Sequence, residues 1–208
     1  MTTPFPETYF ETCGSFASSY FDELNRAAKS CDLPVLNRIA EMVRETINSD
    51  DFIYICGNGG SAGIANHSLC DFLKCVRTDT NLMPRVMSLA AHTEMNSALA
   101  NDISHDEIFA YQLESMARPG DLVWTISSSG NSPNVVRALE VAKAKGLRSV
   151  SFTGFAGGRS QALADVNAHV DAHNYGVVED IHMSFIHIIT QYLRMAHMDK
   201  SLLGQRKF

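Results

Sequence analysis

No apolar run in the 208 residues approaches the roughly 18 that a membrane-spanning helix needs. The opening Met1-Thr2-Thr3-Pro4-Phe5-Pro6 has no basic segment followed by an apolar stretch, so no secretory signal is expected. Cysteine is sparse. Cys13, Cys31, Cys56, Cys70 and Cys75 make an odd set without a Cys-x-x-Cys pair, which argues against a disulfide framework and fits a reduced, cytoplasmic setting. Positive charge is also in deficit: the formal net charge of -6 speaks against broad nucleic-acid or membrane-surface binding. The Gly-Lys-Ser/Thr ending of a nucleoside-triphosphate loop does not occur. There is no repeat, low-complexity segment or obvious linker. The expectation is a single domain over 1–208, with an N-terminal helical segment at about 6–48 and a short C-terminal tail at 198–208.

What is present is two loops of small residues, each directly behind a strand pattern. Gly57-Asn58-Gly59-Gly60-Ser61 follows Phe52-Ile53-Tyr54-Ile55-Cys56, and Ser127-Ser128-Ser129-Gly130-Asn131-Ser132 follows Leu122-Val123-Trp124-Thr125-Ile126. Small residues allow close approach to the backbone, and hydroxyls and free N–H groups hold anionic oxygens. A phosphorylated small molecule is the ligand class this implies. Four hydroxyls in six residues exceed what a turn needs, although Ser132 alone would serve as a helix cap before Pro133. Gly57-x-Gly59-x-x-Ala62 also meets a loose dinucleotide fingerprint, with Asp79 near the place of a ribose-binding acid. That reading leaves the serine loop unexplained, and no clean strand ends at Asp79.

The rest of the chain alternates strand and helix. Strands are predicted at 52–56, 85–90, 122–127, 148–153 and 166–171, and helices at 61–74, 92–100, 106–117, 133–145 and 178–197. This alternation implies an α/β fold: a three-layer sandwich with a five-stranded parallel sheet, preceded by N-terminal helices. Ligands of such sheets sit beyond the carboxyl ends of the strands, where both loops fall. His67 and Asp71, four apart, share a helix face. Glu179, Asp180, His182 and His187 cluster on the last helix. Imidazoles beside carboxylates serve as acid, base or metal ligand, or are merely hydrogen-bonded helix residues.

The order Gly57-Asn58-Gly59-Gly60-Ser61, His67, Asn101-Asp102, Ser127-x-Ser129-Gly130-Asn131-Ser132, Thr153-Gly154, Ile181-His182-x-x-x-Ile186-His187 resembles the sugar isomerase (SIS) domain over about residues 8–197. Within it the chain is most similar to the phosphoheptose isomerase branch, which converts sedoheptulose 7-phosphate to glycero-manno-heptose 7-phosphate. The resemblance implies a flavodoxin- or Rossmann-like sheet and a homotetramer with sites between subunits. It implies a phosphate held by Asn58, Gly59, Gly60, Ser61, Ser127, Ser128, Ser129 and Ser132, with Asp102 and Glu179 near the sugar. It further implies catalysis by Asp71 and His187 through an enediol, and zinc on His67, Asp71, Glu179 and His187.

Three positions depart from the family pattern. Asp71 stands for a glutamate, Glu179 for a glutamine, and Gly176 for an aspartate near the sugar hydroxyls. Glu179 and His187 are eight residues apart, a rise of about 12 Å on one straight helix. For both to hold one ion, the helix must begin near Glu179 with a bend, or the two must come from different subunits. The alternatives are an isomerase of another sugar phosphate, a non-catalytic partner-binding SIS protein, or a sugar-sensing regulator. The last lacks any basic helix–turn–helix segment here.

Overall fold

Apolar residues at successive strand positions divide between two faces, and this alternation builds the core. On β1 (Phe52–Gly57), Ile53 and Ile55 face one side while Tyr54 and Cys56 face the other; on β3 (Leu122–Ser127), Trp124 and Ile126 oppose Val123. Both sides of the sheet are therefore buried, as in all-parallel sheets. In this computed structural model, which describes residues 4–208, the remaining strands are β2 (Arg85–Ser88), β4 (Arg148–Thr153) and β5 (Val166–His169). All pairings are parallel, in the order β2-β1-β3-β4-β5. The chain direction across the sheet reverses between β1 and β3, which defines the switch point where ligands bind. Gly57 is in register with Ile126 there, so the two loops emerge side by side.

The helices are α1 (Cys13–Ser30), α2 (Pro34–Asn48), α3 (Gly60–Cys70), α4 (Thr93–Asp102), α5 (Ala110–Met116), α6 (Pro133–Ala144), α7 (Gly158–Leu163) and α8 (Tyr175–His197). One core unites α1, α2 and α8 with the Trp124 side of the sheet; the other sets α5 and α6 against the Tyr54 side.

Several expectations need correction. The N-terminal segment is not helical from Pro6: the helix starts at Cys13, capped by the Thr12 hydroxyl accepting from Ser15 N at 3.1 Å. Met1–Thr3, part of the predicted leader-free opening and of the 1–208 span, lie outside the described residues. The helix predicted over 61–74 changes at Asp71 into a π-helical segment, Asp71–Val76. Short helix α7 was not foreseen, because its polar sequence GRSQAL carries little periodicity. The predicted helix over 106–117 is a 3₁₀ turn, His105–Glu107, followed by α5.

The tail after Met198 is tied back to its own chain through Arg194. Buried Arg194 donates to Thr78 O (3.1 Å), Asp79 Oδ2 (2.8 Å) and Lys207 O (2.9 Å), and its guanidinium lies 4.8 Å from the Phe208 ring centroid. That ion pair also disposes of Asp79 as a ribose ligand.

Candidate active site

The first loop turns through Gly59, whose φ of +53° favours glycine, into the N-terminus of α3. The serine loop turns through Gly130, with φ +64°, into α6, which begins at Pro133. A Cβ on Gly130 would overlap the Gly157 carbonyl, so this turn is both strained for other residues and sterically closed. Between the loops lies a cavity of about 240 Å³ lined by Asn58, Gly59, Gly60, Ser61, Ile126, Ser127, Ser128, Ser129, Ser132, Tyr175 and Glu179. Two helix N-termini face it, bringing unpaired N–H groups and the positive ends of their dipoles.

Ser127 Oγ accepts from Gly130 N and Ser129 Oγ from Asn131 N, both at 3.2 Å, but the other two hydroxyls of the loop are not used by the turn. Ser132 makes no side-chain cap on α6; its Oγ lies 3.4 Å from Ser127 Oγ. Buried Ser128 Oγ has no hydrogen-bond partner among the described residues. Such an orphaned hydroxyl, in a polar cavity beside two helix starts, fits an anion. Turn hydrogen bonds thus account for Ser127 and Ser129, and Ser132 is not the cap of α6.

A residue that sequence reasoning passed over holds the cavity together. Fully buried Asn134 and Asn58 exchange two amide hydrogen bonds: Asn58 Nδ2 donates to Asn134 Oδ1 at 2.7 Å, and Asn134 Nδ2 to Asn58 Oδ1 at 2.9 Å. Asn134 Oδ1 also accepts from Val135 N at 2.9 Å. Its only sequence signal was a polar residue in the first turn of a helix, a common position for asparagine.

Further along α3 and α8 a second group converges. His67 Nε2 stands 3.0 Å from His187 Nε2 and 3.4 Å from Asp71 Oδ1, and His187 Nε2 is 3.6 Å from Asp71 Oδ2. All three donor atoms lie within 4.8 Å of one another. Four ligands at about 2.0–2.1 Å around a tetrahedral ion would be spaced about 3.3 Å apart. The observed spacings bracket that value. Asp71 Oδ2 is buried and has no hydrogen-bond partner among the described residues, which is the state of a carboxylate oxygen fitted to a cation. Two imidazoles and a carboxylate suit zinc or a similar divalent ion. The change to π-helix at Asp71 falls at this cluster, and α8 packs along that segment.

Glu179 does not join this cluster. α8 is continuous from Tyr175, capped by Asn174 Oδ1 accepting from Val177 N at 3.0 Å, so Glu179 and His187 lie on one helix, about 12 Å apart along its axis. The Glu179 carboxylate instead fills the space that a Cβ on Gly60 would need, so a side chain at position 60 would displace it. Burial, with Asp180 beside it, raises the Glu179 pKa. Asp102 is also apart: it is exposed at the end of α4, where its Oδ1 accepts from Asn101 Nδ2 at 2.7 Å, and it does not line the cavity. Glu94 lines a separate apolar cavity with Met87, Met95 and Met116. His182 is fully buried. Its Nε2 donates to Thr153 O at 3.2 Å, and burial lowers its pKa to about 4, so it is a neutral core residue. Gly176 faces Tyr20: a Cβ there would approach the Tyr20 hydroxyl, which donates to Asp180 Oδ2 at 2.6 Å.

Fold and cavity define an α/β protein of the flavodoxin-like strand order, with a polar cavity at the switch point and a candidate cation cluster about two turns along α3 and on α8. The SIS domain model matches residues 19–154, and the chain belongs to that family. It is 33% identical over 173 residues to a probable phosphoheptose isomerase of Thermoplasma acidophilum, covering 83% of this chain and 94% of that one. It is 32% identical to a phosphoheptose isomerase of Roseiflexus, covering 81% and 85%. Among solved structures, a phosphoheptose isomerase from Neisseria gonorrhoeae superposes with a TM-score of 0.80 at 27% identity, covering 88% of this chain and 99% of that one.

Proposed function

We propose that this single SIS domain is an aldose–ketose isomerase of a sugar phosphate, converting sedoheptulose 7-phosphate to D-glycero-D-manno-heptose 7-phosphate. The observation that carries the reading is the pairing of the serine-lined cavity at the start of α3 with the His67–Asp71–His187 cluster further along α3 and α8. The relatives named phosphoheptose isomerases support the choice of sugar.

The phosphate docks against Asn58, Gly59, Gly60, Ser61, Ser127, Ser128, Ser129 and Ser132, and fixes the register of the sugar. Ser61 and His67 are six residues apart on α3, a rise of about 9 Å. The carbon chain extends over that distance toward the cluster. Asp71 removes the proton from C1, next to the C2 carbonyl. His187 delivers a proton to the carbonyl oxygen, giving the enediol. His187 then takes the O1 proton while protonated Asp71 returns its proton to C2, so the aldose forms, both side chains regain their starting states and the atoms balance. His67, Asp71 and His187 would hold a zinc ion, which when bound supplies Lewis-acid polarisation of the carbonyl and hydroxyl oxygens. Glu179 reaches a zinc ion only from a neighbouring subunit; within one chain it belongs with the sugar. The His67 and His187 side chains are 42% and 43% exposed, leaving an open side for a neighbouring subunit of a homotetramer to cover. Five free thiols accord with work in the cytoplasm, and no described helix is long and apolar enough to cross a membrane.

The test is turnover of sedoheptulose 7-phosphate, with and without chelator, by the parent and by His187→Ala, together with metal analysis and light scattering. An unchanged rate in the variant removes His187 from the mechanism. No turnover by metal-replete parent removes the heptose assignment. A second sugar remains a competing reading, because at Gly176, where the family carries an aspartate near the sugar hydroxyls, Tyr20 holds the space. A panel of ketose phosphates decides between them.

A further inference from the structure

Tyr175 is the cavity residue that neither the serine cradle nor the metal-type cluster explains. It opens α8 one turn before Glu179, so both side chains face the cavity from the same side of the helix. The ring is 63% exposed, yet it is propped in place. It meets the Phe155 ring with centroids 4.8 Å apart at 62°, and Phe155 meets His173 at 5.6 Å and 89°. Phe155 itself has a φ of +48°, a costly backbone state for an aromatic residue, which persists only where its surroundings enforce it. The enforcement is visible. Phe155 N donates to Ala172 O at 3.1 Å, Gly157 N to Gly154 O at 2.8 Å, and Gly154 N to Ser128 O at 2.9 Å. The strained turn is thus bonded to the serine loop on one side and supports Tyr175 on the other.

We propose that Tyr175 is a specificity-determining residue, the wall that packs against the phosphate-bearing end of the sugar's carbon chain. This rests on the sugar-phosphate reading above. The serine loops recognise a phosphate common to all such sugars, so discrimination needs a group placed past it. An aromatic face packs against sugar C–H groups while a phenol hydroxyl bonds to a sugar hydroxyl, and losing such contacts costs discrimination between substrates. The Phe155 prop sets the height of that wall above the cradle.

The experiment compares the parent with Tyr175→Ala, Tyr175→Phe and Phe155→Ala. It measures kcat/KM on five-, six- and seven-carbon ketose phosphates, and calorimetric affinity for each sugar phosphate and for inorganic phosphate. Tyr175→Ala is expected to lower kcat/KM on the preferred sugar about tenfold and to bring the ratio between chain lengths toward one. Inorganic phosphate affinity should change less than twofold. Tyr175→Phe should retain most of the ratio, and Phe155→Ala should lose part of it. An unchanged ratio in Tyr175→Ala overturns the proposal, as does an equal loss of phosphate and sugar phosphate affinity. If the parent turns over none of the sugars, the isomerase reading fails on its own account. The affinity gap between sugar phosphate and inorganic phosphate then still decides the role of Tyr175: its loss in Tyr175→Ala supports the proposal, and its persistence refutes it.

Discussion

The reciprocal amide pair between Asn58 and Asn134 makes a sharp prediction, because it joins the two loops that form the cavity. Asn134→Ala removes both inter-loop bonds and the bond to Val135 N. A net hydrogen bond contributes about 1 kcal/mol, and a buried donor left without a partner costs about 1–3 kcal/mol. With Asn134 fully buried, the expected loss is about 3 kcal/mol. For a chain of this size that lowers Tm by roughly 6–12 °C. Asn58→Ala removes only the two shared bonds, for about 2 kcal/mol. The double variant should therefore cost about 3 kcal/mol rather than the additive 5, a coupling of about 2 kcal/mol. Urea melts of the four proteins measure the cycle, and titration with inorganic phosphate reads the cradle in the same samples. Phosphate affinity should fall in both single variants, since each frees the first loop from the second. Additivity within about 0.5 kcal/mol would refute the clamp.

Three other outcomes follow from the same structure. Glu179→Gln removes a negative charge from the cavity. Because burial raises the Glu179 pKa, the variant should bind phosphate more tightly than the parent above that pKa, and the two should converge as pH falls through it; a pH-independent gap in titration calorimetry contradicts this. His182 is held neutral, with a pKa near 4 against 6.5 unfolded, so the unfolded state binds the extra proton between those values. Stability should be full above pH 6.5 and fall by about 3 kcal/mol toward pH 4, and His182→Gln melts should lack that part of the slope. Arg194→Gln should release the tail from residue 199 onward and loosen Thr78 and Asp79, read as faster amide exchange at both places; protection equal to the parent's would deny the strap.

Much of the site was legible because its chemistry sits in local runs. The serines of 127–132 and the glycines of 57–60 are contiguous, and His67 and Asp71 share a helix face by spacing alone. What could not be read were partners joined through the fold. Asn134 looks like an ordinary helix-start asparagine until β1 and β3 bring Asn58 beside it. Asp102 has the right neighbours in sequence, yet the end of α4 carries it away from the cavity. The polar sequence of α7 and the π-helical turn at Asp71 leave no periodic signal, because both depend on packing against α6 and α8.

The sequence alone determined the layered α/β fold, since strand–loop–helix alternation with two-faced apolar strands admits few other arrangements, and it marked the two loops that line the cavity, since both are runs of consecutive small residues. The tertiary structure decided where the acids at 71 and 179 belong. Asp71 is carried into the imidazole pair by the crossing of α3 and α8, while the unbroken rise of α8 keeps Glu179 two turns away, beside Gly60. It also decided that Tyr20 closes the space at Gly176 and that Tyr175, propped by a strained Phe155, stands at the mouth of the cavity. These are contacts between elements distant in the chain, and no spacing along the sequence encodes them.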